Sequence, residues 1–142
     1  MPVTLRVGRR GATSVERVLL DADTTTVDLD APVDWVLVNV DGSGFYRVRY
    51  SPAAREALLA HRAELSAIER YGLVDDAWAA VLADELDAPA FLDLCRTLAA
   101  DEDDLSVWQR IAAGLGSVDR IVPADARAAW TAEVRAIARP AL

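Results

Sequence analysis

The apolar residues change their period once, at Tyr50. Before it, short runs rich in β-branched residues at 3–7, 15–20, 25–30, 34–40 and 45–50 are separated by Gly, Asp and Pro. From Ser51 onward, apolar residues recur every three or four positions. A chain that passes from a period of two to one of about 3.6 without mixing them predicts an α+β fold in two units, strands in 1–50 and helices in 51–142.

In the strand half, 34–40 is apolar on both faces, with Trp35 and Leu37 on one and Val36, Val38 and Val40 on the other, which predicts a central strand. The run 45–50 puts Tyr46, Val48 and Tyr50 on a half-buried face and turns Phe45, Arg47 and Arg49 outward. Between them, Asp41-Gly42-Ser43-Gly44 tolerates positive φ and predicts a tight hairpin. The arginines are candidates to clamp carboxylates of a neighbouring unit.

The helical half is punctuated by start signals. Ser51-Pro52 reads as an N-cap with proline at the first helical position. Ser66 with Glu69, and Ser106 with Gln109, match the capping box. Asp87 before Pro89, and Pro123 before Asp125, mark two more starts. Apolar stripes follow, among them Leu73, Ala77 and Val81, then Phe91, Leu94, Cys95 and Leu98, then Trp108, Ile111 and Leu115, then Trp130, Val134 and Ile137. Five amphipathic helices with short turns suit a stacked helix-pair array or an irregular bundle.

Catalytic chemistry finds little to work with. His61 is the only histidine and Cys95 the only thiol, so a two-histidine zinc site and an internal disulfide are excluded within this sequence, and a Cys-His pair is disfavoured because His61 reads as a polar helix end and Cys95 as part of an apolar stripe. Cys95 lies on an apolar stripe as a core thiol, and His61 reads as a helix C-terminal residue. Asp75 and Asp76 diverge by about 100° on a helix, so they read as one solvated acid and one paired with an arginine or a cap. The run Asp101-Glu102-Asp103-Asp104 lacks the glycine and distal glutamate of a calcium loop and reads as a solvated turn. Acids outnumber arginines by 23 to 15, which argues against nucleic acid as a partner. No apolar run approaches the roughly 18 residues of a membrane span, and the start carries no signal-peptide pattern. With a single cysteine, this reads as a cytoplasmic protein.

Three ordered stretches carry a family resemblance. Trp35 to Val40 followed by Gly44-Phe45-Tyr46-Arg47-Val48-Arg49-Tyr50, then Arg70, Leu73, Val74, Asp76, Ala77 and Trp78, then Leu98, Glu102 and Trp108, together resemble the M1 family of zinc aminopeptidases. The resemblance implies that 1–50 is part of an antiparallel β-sandwich and that 51–142 opens an all-α array of HEAT/armadillo-like helix pairs. It implies a parent enzyme that removes N-terminal residues from peptides with one zinc, held by an H-E-x-x-H helix and a distant glutamate. None of that machinery occurs in this chain, so no catalytic, cofactor or metal residue is assigned here. The residues it marks are structural: Asn39, Gly44, Tyr46, Arg47, Val48 and Tyr50 at the domain joint, and Leu73, Asp76, Trp78 and Trp108 in the helical part.

The family's sandwich has strands before the position of Val3 and its helices continue past Pro140, so the sequence reads as a fragment. A truncated sandwich leaves an unpaired sheet edge, to be covered by a second copy or by the chain's own helices. The expected partners are the parent's catalytic domain and, through it, peptide substrates, with this part shaping access to the active site. The alternative is a stand-alone interaction module that takes a basic peptide along its acidic helical face.

Overall fold

Arg10 and Gly11 both adopt positive φ, 44° and 80°, and this two-residue turn joins β1 (Pro2–Arg9) to β2 (Ala12–Leu19) in an antiparallel hairpin. β3 (Trp35–Val38) pairs antiparallel to the other side of β1 with Leu5 opposite Val38, giving the order β2-β1-β3. The computed structural model describes residues 1–29 and 32–141, and the chain forms two compact units, Met1–Glu69 and Arg70–Leu142. In the first, α1 (Pro52–Ala60) lies against β3, and Val7, Trp35, Leu37, Leu58 and Leu65 are buried.

Three strand expectations need correction. Residues 25–29 form no strand, because 21–28 are all exposed and offer no apolar face to bury; Asp30, the end of that run, lies outside the described residues. β3 is an edge strand, with Trp35 and Leu37 buried on one face and Val36 and Val38 half-buried on the other, since β1 is the central one. The hairpin at 41–44 does not form. Asn39 turns to φ 69° and Asp41 to φ 54°, and Val40–Gly42 coil into a 3-10 turn. The Asn39 amide then closes on Gly44 from both sides, its Oδ1 accepting from Gly44 N at 2.6 Å and its Nδ2 donating to Gly44 O at 3.1 Å. That clamp turns the chain out of the sheet, and 45–50 join no ladder.

The alternation within 45–50 survives all the same. Tyr46, Val48 and Tyr50 are half-buried while Phe45, Arg47 and Arg49 are exposed. The Tyr46 ring lies so close over Gly44 that a Cβ there would sit 2.1 Å from it. The Tyr50 hydroxyl reaches back to the outer edge of β3, accepting from Val38 N at 2.9 Å and bonding Val38 O at 3.3 Å, so one side chain satisfies two backbone groups that a fourth strand would have paired. Removing only this hydroxyl, as Tyr50→Phe, should cost about 0.5–1.5 kcal/mol and lower the thermal midpoint; an unchanged midpoint would show that water serves the edge equally well.

The described residues hold a single sheet, and the second sheet of a sandwich is not among them. The second unit holds most of α2 (Ala67–Leu82), then α3 (Ala88–Ala99), α4 (Leu105–Asp119) and α5 (Arg127–Ala138). The start signals hold at three helices. Ser51 Oγ accepts from Ala54 N, Asp87 Oδ1 from Ala90 N, and Glu69 Oε2 from Ser66 N, the returning half of its capping box. At α4 the cap is Asp104, two residues ahead of Ser106, and it accepts from Ser106 N at 2.8 Å and Val107 N at 3.3 Å. A carboxylate is the stronger acceptor for the positive end of a helix, which is why it displaces the serine box. Pro123 opens a 3-10 turn (Ala124–Ala126) that leads into α5.

Candidate functional site

The second and third of the stretches behind the family resemblance supply one connected structure in the helical unit. Arg70, on α2, grips Glu102 with two parallel bonds, Nε to Oε2 at 2.7 Å and Nη2 to Oε1 at 2.8 Å. Glu102 Oε1 also accepts from the backbone N of Asp103 and Asp104, at 3.1 and 2.9 Å. The Glu102 carbonyl accepts from Trp108 Nε1 at 3.1 Å. One residue of the α3–α4 turn is thereby tied to α2 on one side and to α4 on the other.

Glu102 is thus the exception within its acidic run, for its side chain is fully buried while that of Asp103 is 96% exposed. Burial alone would raise its pKa. The Arg70 hydrogen bond, the Asp104 N–H, the Arg70 charge and the Asp103 N–H outweigh that and hold it below the usual glutamate value. Arg70 is raised in turn, chiefly by its bond to Glu102. A second pair, Arg110 Nε to Asp75 Oδ1 at 2.7 Å, links α4 to α2 and accounts for one of the two adjacent acids. Asp76 is half-buried and Leu73 buried.

Trp108 is half-buried, so it is not the core anchor that its stripe suggests. With its indole N–H already bonded, it lines an apolar groove of about 340 Å³ between α4 and α5, facing Ile111, Leu115, Trp130 and Val134. Trp130 donates its own indole N–H to Asp119 Oδ1 at 2.7 Å, the same oxygen that accepts from Arg127. Trp78 is half-buried too, tilted against Phe91 at 5.2 Å. The groove was not foreseen. Its only trace in the sequence is Ala112 and Gly116, small residues on the Trp108 face of α4.

His61 caps α1 in the first unit with its Nδ1 2.7 Å from Glu64 Oε1. Cys95 is buried in the second, where burial pushes its thiol up to about 12 against a smaller lowering by Arg110. Among the described residues no three His, Cys, Asp or Glu side chains gather to hold a metal, and no helix is long and apolar enough to cross a membrane. Cys95 should react with an aromatic disulfide reagent at mildly alkaline pH only after denaturation, read as thiolate release; fast reaction of the folded chain would place the thiol at the surface.

Residues 35–142 match a family described as the ERAP1-like C-terminal domain. Endoplasmic reticulum aminopeptidase 2 of Bos taurus is 36% identical over 102 residues, 69% of this chain and 10% of that protein. Puromycin-sensitive aminopeptidase of Caenorhabditis elegans is 30% identical over 122 residues, 83% of this chain and 13% of that protein. Probable aminopeptidase 1 of Saccharolobus solfataricus is 34% identical over 91 residues, 64% of this chain and 11% of that protein. The chain belongs to the M1 aminopeptidase family and carries its C-terminal domain. It spans about a tenth of the length of these curated relatives.

Proposed function

We propose that this chain is a non-catalytic C-terminal part of a zinc aminopeptidase that removes N-terminal residues from peptides in the cytoplasm. In this reading the β part to Tyr50 belongs to a β-sandwich domain, and the helices from Ser51 open a HEAT/armadillo-like array that shapes access to the active site. Its partner is the zinc-bearing domain of the same enzyme. The observation that supports the reading is the Arg70–Glu102–Trp108 network, which joins two of the resembling stretches through one turn. Such a network suits a scaffold.

The isolated chain, incubated with zinc and an aminoacyl anilide, should give no turnover. Zinc-dependent release of the aniline, abolished by a chelator and restored by fresh zinc, would overturn the proposal. The competing reading, a stand-alone interaction module, draws support from the apolar groove beside an acidic turn. An H-E-x-x-H motif upstream in the same reading frame decides for the enzyme.

A further inference from the structure

Among the described residues the sheet has one closed edge and one open edge. On β3 the Tyr50 hydroxyl takes the outward N–H and C=O of Val38. β2 forms the other edge, and the hydrogen bonds fix which of its backbone groups are open. Met1 and Leu20 exchange both of their backbone bonds, whereas the carbonyl of Thr4 accepts from Asn39 N on the β3 side of β1. Such bonding alternates along an antiparallel pair, so Ser14, Glu16 and Val18 bond β1 while Thr13, Val15, Arg17 and Leu19 turn their N–H and C=O groups outward. The side chains of these outward residues are exposed as well, Val15 by 53% and Leu19 by 62%. Proline and bulges are two devices that keep an edge from pairing, and β2 has neither, its register running unbroken from Ala12 opposite Arg9 to Leu19 opposite Pro2.

Symmetry and charge select what pairs there. Two copies of β2 running antiparallel about a two-fold axis set residues of the same face opposite each other. An axis at Glu16 puts Glu16 against itself and one at Arg17 puts Arg17 against itself, and like charges directly opposite are unfavourable. An axis at Val15 avoids both. It sets Val15 against Val15 and Thr13 against Arg17, all of them residues with outward backbone groups, and on the other face it sets Ser14 against Glu16. That face holds a cation in want of a carboxylate. Arg9 Nη1 donates to Ser14 Oγ at 3.0 Å, and Ser14 Oγ donates to Glu16 Oε1 at 3.3 Å. Among the described residues neither Arg9 nor Glu16 has an ion-pair partner, and Arg9 Nε is buried without a hydrogen bond. Glu16 of the second copy would stand across the seam from Ser14, at the strand spacing of about 4.8 Å, and supply that carboxylate.

We propose that the open edge of β2 pairs with the same edge of a second copy of this chain, antiparallel about Val15, so that two three-stranded sheets join into one and Arg9 of each copy faces Glu16 of the other. The contact is isologous and closes at the dimer. It uses residues of the first unit alone and is independent of the aminopeptidase reading.

Sedimentation of the purified chain at rising concentration should show its mass climb to that of a dimer and stop there. Val15→Pro removes an N–H that points out of the sheet, so the β1–β2 ladder keeps its bonds, and association should weaken about 10-fold or more at unchanged circular dichroism. Glu16→Arg sets like charges across the seam and should weaken association similarly. Adding Arg9→Glu to that variant should restore it, because the pair is then only reversed. The register has its own readout. Val15→Cys should form an intermolecular disulfide on mild oxidation, its two Cα atoms lying about 5.5 Å apart across the axis. Leu19→Cys should not, since its two copies lie about 27 Å apart along the strands; Cys95 is buried and takes no part. A wild type that stays monomeric into the millimolar range, association that either Val15→Pro or Glu16→Arg leaves intact, or cross-linking at 19 as ready as at 15 would each overturn the proposal.

Discussion

Glu102→Gln is expected to destabilise the chain by about 3–5 kcal/mol in urea or thermal unfolding, because it leaves the largely buried Arg70 guanidinium facing an amide. The geometry leaves no good alternative. One carboxylate oxygen takes Arg70 Nη2 and two backbone N–H groups, and the other takes Arg70 Nε. An amide NH2 in either place sets donor against donor. Arg70→Lys should fail for a related reason, since a single ammonium cannot span both oxygens. Replacing both partners together, as Arg70→Met with Glu102→Leu, should recover most of the loss, as apolar substitutes often do for a buried pair.

The same pair predicts a pH dependence. Glu102 is held below its ordinary value in the folded state, so its contribution is fully present above the unfolded value of about 4.3 and is lost as pH falls through the lower folded value. The gap in midpoint between wild type and Glu102→Gln should therefore stay constant from neutral pH to about 5 and close at more acid pH. A gap that persists undiminished well into acid would mean that the carboxylate charge does not carry the effect.

Glu102 also shows where the sequence stops being legible. Residues 101–104 are all acidic, and nothing local distinguishes the one that turns inward. What selects Glu102 is Arg70, 32 positions earlier, and such a partner is invisible to periodicity. Only the resemblance, in which Arg70, Glu102 and Trp108 already stood out, pointed at the right residues. Helix starts were readable because a cap acts within three residues of itself, as Ser51 and Asp87 do. The same locality misled at α4, where Ser106 and Asp104 both offer a cap and the carboxylate wins. The hairpin at 41–44 failed through Asn39, which looked like a strand residue but uses its amide to mimic a backbone partner for Gly44. The alternation of 45–50 was right about which side chains face inward and silent about whether the backbone finds a strand to pair with.

The core of the helical unit supports the other large effect. Phe91, on α3, is fully buried, with the Trp78 ring tilted against it from α2 and Gly114 of α4 beneath it. Phe91→Ala should cost about 3–5 kcal/mol, since α4 approaches over glycine and has no side chain there to fall into the hole. Trp108→Ala should cost clearly less, because that ring is only half-buried and borders open groove. Gly114 gives the sharper test. A Cβ at this position would lie 2.5 Å from Phe91 Cζ, and the ring is fully buried and in contact with Trp78, so it cannot swing aside cheaply. Gly114→Ala should accordingly destabilise the wild type by about 1–3 kcal/mol through overpacking, although alanine is the better helix former by about 1 kcal/mol. In the Phe91→Ala background the clash is gone and only the helix preference remains, so the same substitution should there stabilise by about 1 kcal/mol. The sign reversal is a coupling between two residues 23 positions apart in sequence that unfolding of the four chains reads directly. Additive effects in that cycle would mean that α3 and α4 do not meet at this point.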